Sequence, residues 1–468
     1  MGLLEQARGV LLTHAFDADS DLTRLRELAP DLADRFEQLR EALDSATDSR
    51  DPLSAEFLAE SPGSSSLTPA PHSDLRQELA AEWRELTGRI RAAHPRLGLL
   101  RPVHEWDERE LRAEAAAGPV SLVNVSSYGS DALVVTENSI DVVPLPDLDS
   151  QTTTTRQQAF QKALSDIHTS DTSRKHSLRA QQVVKDTLDW LWQSVTGPVL
   201  DHLNLPATPP GSWPRVWWSP GGVLGTLPLH AAALADGTPG ALDRVVSSYT
   251  PTLRALHHAR QRAARPASGR TLVVTVAEAA GLAPLPAARK EAEHLARLLP
   301  DATVLDGAAA THSAVLSALP QHAYAHFACH AQGDLQRPSG NRLVLHDHVA
   351  RPLTVRDLAR LRLPAVRLAY LSACDTLRTS PELADEAVHI VSAFQMAGFP
   401  HVIGSLWQVD DAIGARVAHE VYEALHTGRR GALDVDRTAE ALHSTVRALR
   451  DDYPVTPSLW ACQVHAGP

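Results

Sequence analysis

Two short segments carry the residues best suited to chemistry. The first reads His-Phe-Ala-Cys-His-Ala at 326–331, and the second reads Leu-Ser-Ala-Cys-Asp-Thr at 371–376. Each contains the end of an apolar run that predicts a buried strand, so His330 and Cys374 are expected at the carboxyl ends of two strands. Neighbouring strands lie about 5 Å apart. If these two are neighbours, the imidazole can reach the thiol and activate it as a nucleophile.

Such a pair performs nucleophilic catalysis. A free thiol is only partly ionised at neutral pH, and a nearby imidazole removes its proton during attack and returns it to a leaving amine. The oxyanion that develops needs backbone N–H donors. We expect these donors from Cys374 itself and from the loop after His330, beginning with Ala331.

Two other interpretations apply to the same residues. Cys374 alone would be assigned to the core, as a free cysteine usually is, and His330 is what favours a nucleophile. A metal site at His326, Cys329 and His330 is disfavoured, because successive side chains of a strand point to opposite faces. We therefore expect His326 and Cys329 to pack in the core, and we predict neither a metal nor an organic cofactor.

The elements that position this pair alternate regularly from Arg270 onward. Strands are predicted at 272–276, 303–305, 323–328, 366–372, 401–406 and 460–464, and helices at 287–299, 311–319, 356–362, 382–398, 410–427 and 434–450. The strand segments are continuously apolar, which is typical of strands covered on both faces. The pattern predicts a doubly wound, mostly parallel α/β sheet with helices on both faces, reacting at the carboxyl ends of its strands.

The part before this sheet has a different pattern. Helices are predicted at 22–28, 32–43 and 74–93, with a Ser/Pro/Gly-rich loop at 61–73, and no repeat of fixed period is present. Strand-like segments at 120–125, 133–136 and 140–143 predict a small antiparallel meander. The residues Ser-Gln-Thr-Thr-Thr-Thr-Arg at 150–156 are interpreted as a polar linker, followed by a helix over 179–203.

Taken together, the segments HFACHAQGD and LSACDT resemble the CHAT family, bacterial relatives of caspases and separase. The segments HVIGSLWQVDD at 401–411, PSLWAC at 457–462 and WPRVWWSPGGVLGTLPLHAAAL at 213–234 also resemble this family. The N-terminal helices are similar to those that link tetratricopeptide repeats to CHAT domains in actinobacterial proteins. The predicted organisation is a helical region at 1–115, a mixed segment at 116–265 that resembles a degenerate caspase-like half, and the catalytic domain at 266–468.

The resemblance implies a caspase-like fold and a cysteine endopeptidase in which His330 and Cys374 form the dyad, with hydrolysis through an acyl-thioester. The family usually has glycine directly after the catalytic histidine, whereas this chain has Ala331.

Several acidic residues follow the two motifs. Asp375, Asp385 and Glu386 are candidates for a pocket that selects a basic side chain, with turn capping or compensation of a helix dipole as the alternative. Asp410 and Asp411 are expected to cap a helix.

Composition limits the partners. The net charge is -12, and arginines alternate with acidic residues without forming a basic stripe, which disfavours nucleic-acid binding. No apolar run approaches the ~20 residues of a membrane span, and the first residues are not typical of a secretory signal. The chain has three cysteines, which favours a reducing cytoplasm.

We expect a protein substrate and an activating protein partner bound through the N-terminal helices. Two other functions stay open at this point. They are a catalytically silent CHAT scaffold for protein interaction and an amidase acting on small molecules.

Overall fold

The computed structural model describes most of the chain from residue 107 onward and a smaller part of the region before it. The described residues are 25–39 apart from 27 and 37, then 82, 85–90, 92–94, 107–168, 174–207, 213–265, 269–333, 340–372, 390–428 and 433–468. The chain divides into two compact units, one comprising residues 14–102 and the other comprising the rest.

The unit at 14–102 is helical wherever the structure describes an element. Its described residues within the predicted helices at 22–28, 32–43 and 74–93 are almost all helical. An apolar cluster joins these segments, formed by Leu25, Ala33, Phe36, Leu39, Leu86 and Ile90. Arg35 Nε donates to Glu82 Oε1 at 3.0 Å on the surface of the same unit. The predicted helical N-terminal region is therefore confirmed.

A single eleven-stranded sheet runs through the second unit. The strands in chain order are β1 (Val120–Asn124), β2 (Asp131–Val135), β3 (Ile140–Pro144), β4 (Arg215–Pro220), β5 (Val246–Tyr249), β6 (Thr271–Thr275), β7 (Thr303–Asp306), β8 (Tyr324–Ala328), β9 (Ala331–Gln332), β10 (Arg342–Leu343), β11 (Leu353–Thr354), β12 (Leu368–Ser372), β13 (His401–Ser405) and β14 (Gln463–Ala466). The spatial order of the large sheet is β3-β2-β1-β4-β5-β14-β13-β12-β8-β6-β7, while β11-β10-β9 form a separate small sheet.

The large sheet is mostly parallel, as predicted. Within the large sheet, antiparallel pairing of the described strands is confined to β1 with β2, β2 with β3, and β13 with β14. The first two pairs are the predicted meander. The C-terminal strand β14 pairs with β13 on one side and with β5 on the other, so it joins the strands before residue 265 to those after it. The domain boundary between 265 and 266 stays a prediction.

The helices lie between and around these strands. In chain order they are α1 (Glu108–Ala113), α2 (Ser150–His168), α3 (Arg174–Leu191), α4 (Gly197–His202), α5 (Leu253–Ala263), α6 (Pro286–Leu298), α7 (His312–Ala318), α8 (Val355–Ala359), α9 (Ile390–Ala397), α10 (Asp411–Leu425), α11 (Thr438–Asp452) and α12 (Pro457–Trp460). None of the helices among these described residues combines the length and apolarity that crossing a membrane requires.

Helices cover both faces of the central strands, and two successive residues of β8 demonstrate this. His326 lies 3.0 Å from Glu291 of α6 and contacts the ring of Tyr422 on α10. The next residue, Phe327, packs against Phe394 of α9 with ring centroids 5.2 Å apart. Because side chains alternate along a strand, α6 and α10 cover one face and α9 covers the other.

The predicted polar linker at 150–156 is wrong, because these residues begin the 19-residue helix α2. Three threonine hydroxyls donate to backbone carbonyls four residues earlier, as Thr153 does to Asp149 at 2.6 Å. The polar run therefore satisfies its hydrogen bonds within the helix. Burial of Phe160 and Leu164 further along fixes the helix against the core. Similarly, Trp460 ends α12, so the last strand begins later than predicted.

Candidate active site

The two strands that precede the predicted catalytic residues are direct neighbours. β8 and β12 pair in parallel with an unbroken register that ends at Ser372 opposite Ala328. His330 and Cys374 each follow two residues after this last pair. The sequence expectation of adjacent parallel strands is therefore confirmed. Cys374, Asp375, Asp385 and Glu386 lie outside the described residues.

His330 is the described part of the predicted dyad. Its side chain is half-buried, and Nε2 donates to the carbonyl oxygen of Ala283 at 2.7 Å. A carbonyl oxygen only accepts, so Nε2 carries a proton, and in the neutral imidazole the lone pair is on Nδ1. The Ala283 carbonyl belongs to the connection between β6 and α6, so a neighbouring strand's loop sets both the orientation and the tautomer of His330.

Ala331 begins a short strand that presents one backbone donor. It lies opposite Leu343 in the small sheet, and the Val344 N–H donates to the carbonyl of His330 at 2.8 Å. This pattern makes Ala331 and Leu343 a non-hydrogen-bonded pair, whose N–H groups point away from the partner strand. The extended backbone of Ala331 carries a methyl group without strain. Alanine in place of the family's usual glycine therefore leaves the N–H donor in place.

The buried side chain of Glu291 contacts residues of both β8 and β12 near the carboxyl ends of these strands. Ser372 Oγ donates to its Oε2 at 3.1 Å, and His326 Nε2 lies 3.0 Å from its Oε1. All but 4% of the Glu291 side chain is shielded from solvent. A small pocket that opens to solvent, with a cavity volume of about 30 Å³, lies here, and its lining includes Glu291, Ser372, Asp410 and Asp411.

The two aspartates at the start of α10 have different roles. Asp410 caps the helix by accepting from the N–H groups of Ala412 and Ile413, as predicted. Asp411 instead accepts from the Ala287 N–H in the first turn of α6 at 2.7 Å, so the prediction that it caps its own helix α10 is wrong, and it caps the start of α6. Burial raises the pKa of Asp411, the Ala287 N–H opposes that rise, and the neighbouring Glu291 and Asp410 raise the pKa further, against a smaller lowering by His330.

The core assignments made from the sequence hold. Cys329 is buried and is not part of a disulfide, and His326 is fully buried against Glu291. The residues that sequence reasoning missed are Ala283 and Glu291. A backbone carbonyl leaves no signal in the residue type, but Glu291 did leave one. It lies among Ala288, Ala292 and Leu295 on the buried stripe of α6, where an acidic residue is unusual.

A model of the CHAT domain family matches residues 185–468. Among solved structures, the separase of Saccharomyces cerevisiae in complex with securin is similar to the chain with a TM-score of 0.54 at 10% identity, covering 77% of this chain. The chain spans 31% of the length of that separase. The Arg-specific cysteine proteinase RgpB of Porphyromonas gingivalis is similar with a TM-score of 0.36 at 13% identity, covering 67% of this chain and 73% of RgpB. A search of curated protein sequences finds no significant match. The fold is caspase-like, as the sequence predicted.

Proposed function

The chain belongs to the CHAT domain family, and from that premise we propose that it is a cysteine endopeptidase with Cys374 as nucleophile and His330 as general base. The observation that carries this proposal is the register of β8 and β12. It runs unbroken to Ala328 and Ser372, and His330 and Cys374 are each two residues further along the chain. Two side chains that leave adjacent strands at the same level lie within reach of each other.

The half-buried imidazole has the chemistry that the reaction needs. With Nε2–H donated to Ala283, Nδ1 takes the thiol proton while sulfur bonds to the scissile carbonyl carbon. The oxyanion accepts hydrogen bonds from the backbone N–H groups of Ala331 and Cys374. The imidazolium returns its proton to the leaving amine as the C–N bond breaks. Water then attacks the thioester carbonyl carbon and gives a proton to Nδ1. As the C–S bond breaks, the acid is released and the imidazolium returns that proton to the thiolate.

The electrostatics of this edge favour a basic side chain in the substrate. Glu291, Asp410 and Asp411 line the pocket beside Ser372. The charge of Asp375, Asp385 and Glu386 is proposed to add to theirs. A lysine or arginine side chain whose cationic end reaches Asp410 and Asp411 at the mouth of this pocket gains carboxylate partners, whereas an acidic side chain meets like charge.

Two kinds of partner follow from this proposal. The first is a protein substrate, and the second is an activating protein that binds the N-terminal helices. Leu28 on those helices is 57% exposed and offers an apolar contact. Cys329 and Cys462 are buried outside any disulfide, which supports a reducing cytoplasm as the compartment.

The test compares the chain with its Cys374→Ala variant in a lysate and identifies new protein N-termini. We expect cleavage that vanishes in the variant, with basic residues before the cut. A thiol-directed peptide electrophile gives a second measurement: it should label Cys374 and leave Cys329 and Cys462, which are at most 1% exposed, unmodified. Neither cleavage nor labelling, with and without candidate activators, contradicts the proposal and leaves the silent scaffold as the better description. Labelling only by small amide-like electrophiles would indicate the small-molecule amidase.

A further inference from the structure

Two helices on one face of the sheet bring together three metal-binding side chains, none of which lines the pocket beside Ser372. They are His294 of α6 with His419 and Glu423 of α10, and their donor atoms all lie within 4.8 Å of one another. The ring centroids of His294 and His419 are 3.9 Å apart, and His294 Nε2 lies 3.7 Å from Glu423 Oε1.

Local structure explains the convergence. Residues four apart on a helix lie on the same face, so His419 and Glu423 point together from α10. α6 packs directly against α10 and presents His294 to them. Each helix is fixed independently by its own apolar stripe on the sheet, which includes Leu295 and Val417. The packing of the two helices on the sheet therefore brings the three side chains together, and no favourable interaction among them is required.

The nitrogen at the centre of this cluster has an unmet hydrogen-bonding capacity. His294 Nε2 is buried, and no described residue forms a hydrogen bond to it. A buried polar atom without a partner costs free energy, and such atoms in native structures usually have a water or an ion as partner. This nitrogen lies near the imidazole of His419 and the carboxylate of Glu423, and both groups bind metal ions in proteins.

We propose that His294, His419 and Glu423 bind a Zn²⁺ ion. Two imidazole nitrogens and one carboxylate oxygen form a common three-ligand set for zinc, with water as the fourth ligand. Zinc bonds of about 2.0–2.2 Å place tetrahedral donors about 3.4 Å apart. His419 and Glu423 are exposed, so small rotations of their side chains close the present separation.

The charges around the site also fit. Burial lowers the pKa of His294, the neighbouring His419 lowers it further, and Glu423 opposes both. A neutral imidazole offers its lone pair to a metal at pH 7. Arg297, one turn along α6, adds positive charge that also lowers this pKa and weakens cation binding. The carboxylate of Glu423 offsets that charge at the ion itself.

A zinc ion here would join the two helices that border the catalytic edge. Their first turns are already linked there, since Asp411 of α10 accepts from the Ala287 N–H of α6. The metal would add a second link between α6 and α10 further along. Its effect is therefore on the stability of the α6–α10 pair, and the reaction itself does not use it.

The test uses the full chain as its Cys374→Ser variant, so that zinc binding at the catalytic thiol does not contribute. After removal of metals with a chelator, calorimetric titration with Zn²⁺ should show one site per chain. His419→Ala and Glu423→Gln should each weaken binding at least about tenfold. Both residues are exposed, so these variants keep the fold. The matched control is His176→Ala, an exposed helical histidine 3.2 Å from Asp166, which should bind Zn²⁺ unchanged.

Co²⁺ in place of Zn²⁺ reports the ligands directly. We expect visible d–d bands without the near-ultraviolet charge-transfer band of a Co²⁺–thiolate bond. Zn²⁺ should also raise the Tm of the parent chain and leave that of His419→Ala unchanged. Equal Zn²⁺ affinity in His419→Ala, a thiolate band, or no binding in the Cys374→Ser background would each overturn the proposal.

Discussion

The sheet has two groups of parallel strands whose carboxyl ends are each followed by a histidine, and the two histidines have opposite surroundings. His330 follows β8, is half-buried, and is held by one backbone carbonyl through Nε2. His230 follows β4, is 6% exposed, and its Nδ1 lies 3.0 Å from the hydroxyl of Tyr249. The comparison shows that two histidines that follow parallel strands differ in their access to solvent, and the more accessible one, His330, is the proposed general base.

The hydrogen bonds in the loops that follow these strands also differ between the two groups. At the ends of β4 and β5, side chains close the loops onto themselves: Ser219 Oγ donates to the Pro251 carbonyl at 3.0 Å, and Thr250 Oγ donates to that of Thr252 at 2.7 Å. At the end of β12, the Ser372 hydroxyl instead donates to the carboxylate of Glu291 beside a pocket. The polar side chains after β4 and β5 therefore bond to their own loops, whereas the Ser372 hydroxyl after β12 bonds to a carboxylate that lines a pocket.

The largest expected effect separates the two histidines by activity. His330→Ala should lower peptide cleavage by about 10²–10⁴-fold, because general acid–base catalysis contributes that much. His230→Gln should keep the activity of the folded fraction, since this residue is buried against Tyr249. The measurement is the cleavage rate of the substrate found by N-terminal sequencing, corrected for folded protein by circular dichroism. Equal losses of cleavage rate in His330→Ala and His230→Gln would contradict the different roles assigned to the two histidines.

The second effect concerns stability in the β4 region. Trp217 is 1% exposed, donates from Nε1 to the Gly467 carbonyl at 2.7 Å, and packs under Arg215 and Arg260. Trp217→Ala should lower the free energy of unfolding by about 3–5 kcal/mol, as large core truncations do. Urea denaturation gives the value. The matched control is Trp213→Ala at a half-buried position, which should cost clearly less. Similar losses for both would contradict a bracing role for Trp217.

The smallest effect is a pH dependence of the free energy of unfolding, caused by the buried histidines His230 and His443. Burial lowers the pKa of His230 to about 3 and that of His443 to about 4. Below about pH 6.5 the unfolded chain binds protons at these sites that the folded chain does not, so the free energy of unfolding falls as the pH drops toward 4. At pH 5 each histidine should cost on the order of 1–2 kcal/mol.

Urea denaturation between pH 7 and pH 4.5 measures this slope. His230→Gln and His443→Gln should each flatten it, whereas His176→Gln at an exposed position should not. A slope that is unchanged in both buried variants would mean that other groups, such as the buried His401 and His465, cause the acid sensitivity.

Much of the site could be read from the sequence because its signals are local. Apolar runs ending at Cys329 and Ser372 predicted the strand ends, which the structure confirms, and the two motifs predicted His330 and Cys374 as the dyad, which stays a prediction. Glu291 was predicted only as part of a helix, since sequence periodicity assigns a face and not a contact across 81 residues to Ser372. The helix at 150–168 was missed because its four threonines have weak helical propensity, which packing of Phe160 and Leu164 overcomes.

The sequence by itself determined the strand and helix alternation, the parallel sheet and the two residues proposed for catalysis, because hydrophobic periodicity and short motifs depend on neighbours along the chain. Only the tertiary structure decided which nitrogen of His330 keeps its lone pair, since the Ala283 carbonyl arrives from another strand's loop. The tertiary structure also brought His294 to His419 and Glu423. Contacts of this kind depend on how two helices pack on a common sheet, and no pattern of residues along either helix specifies that distance.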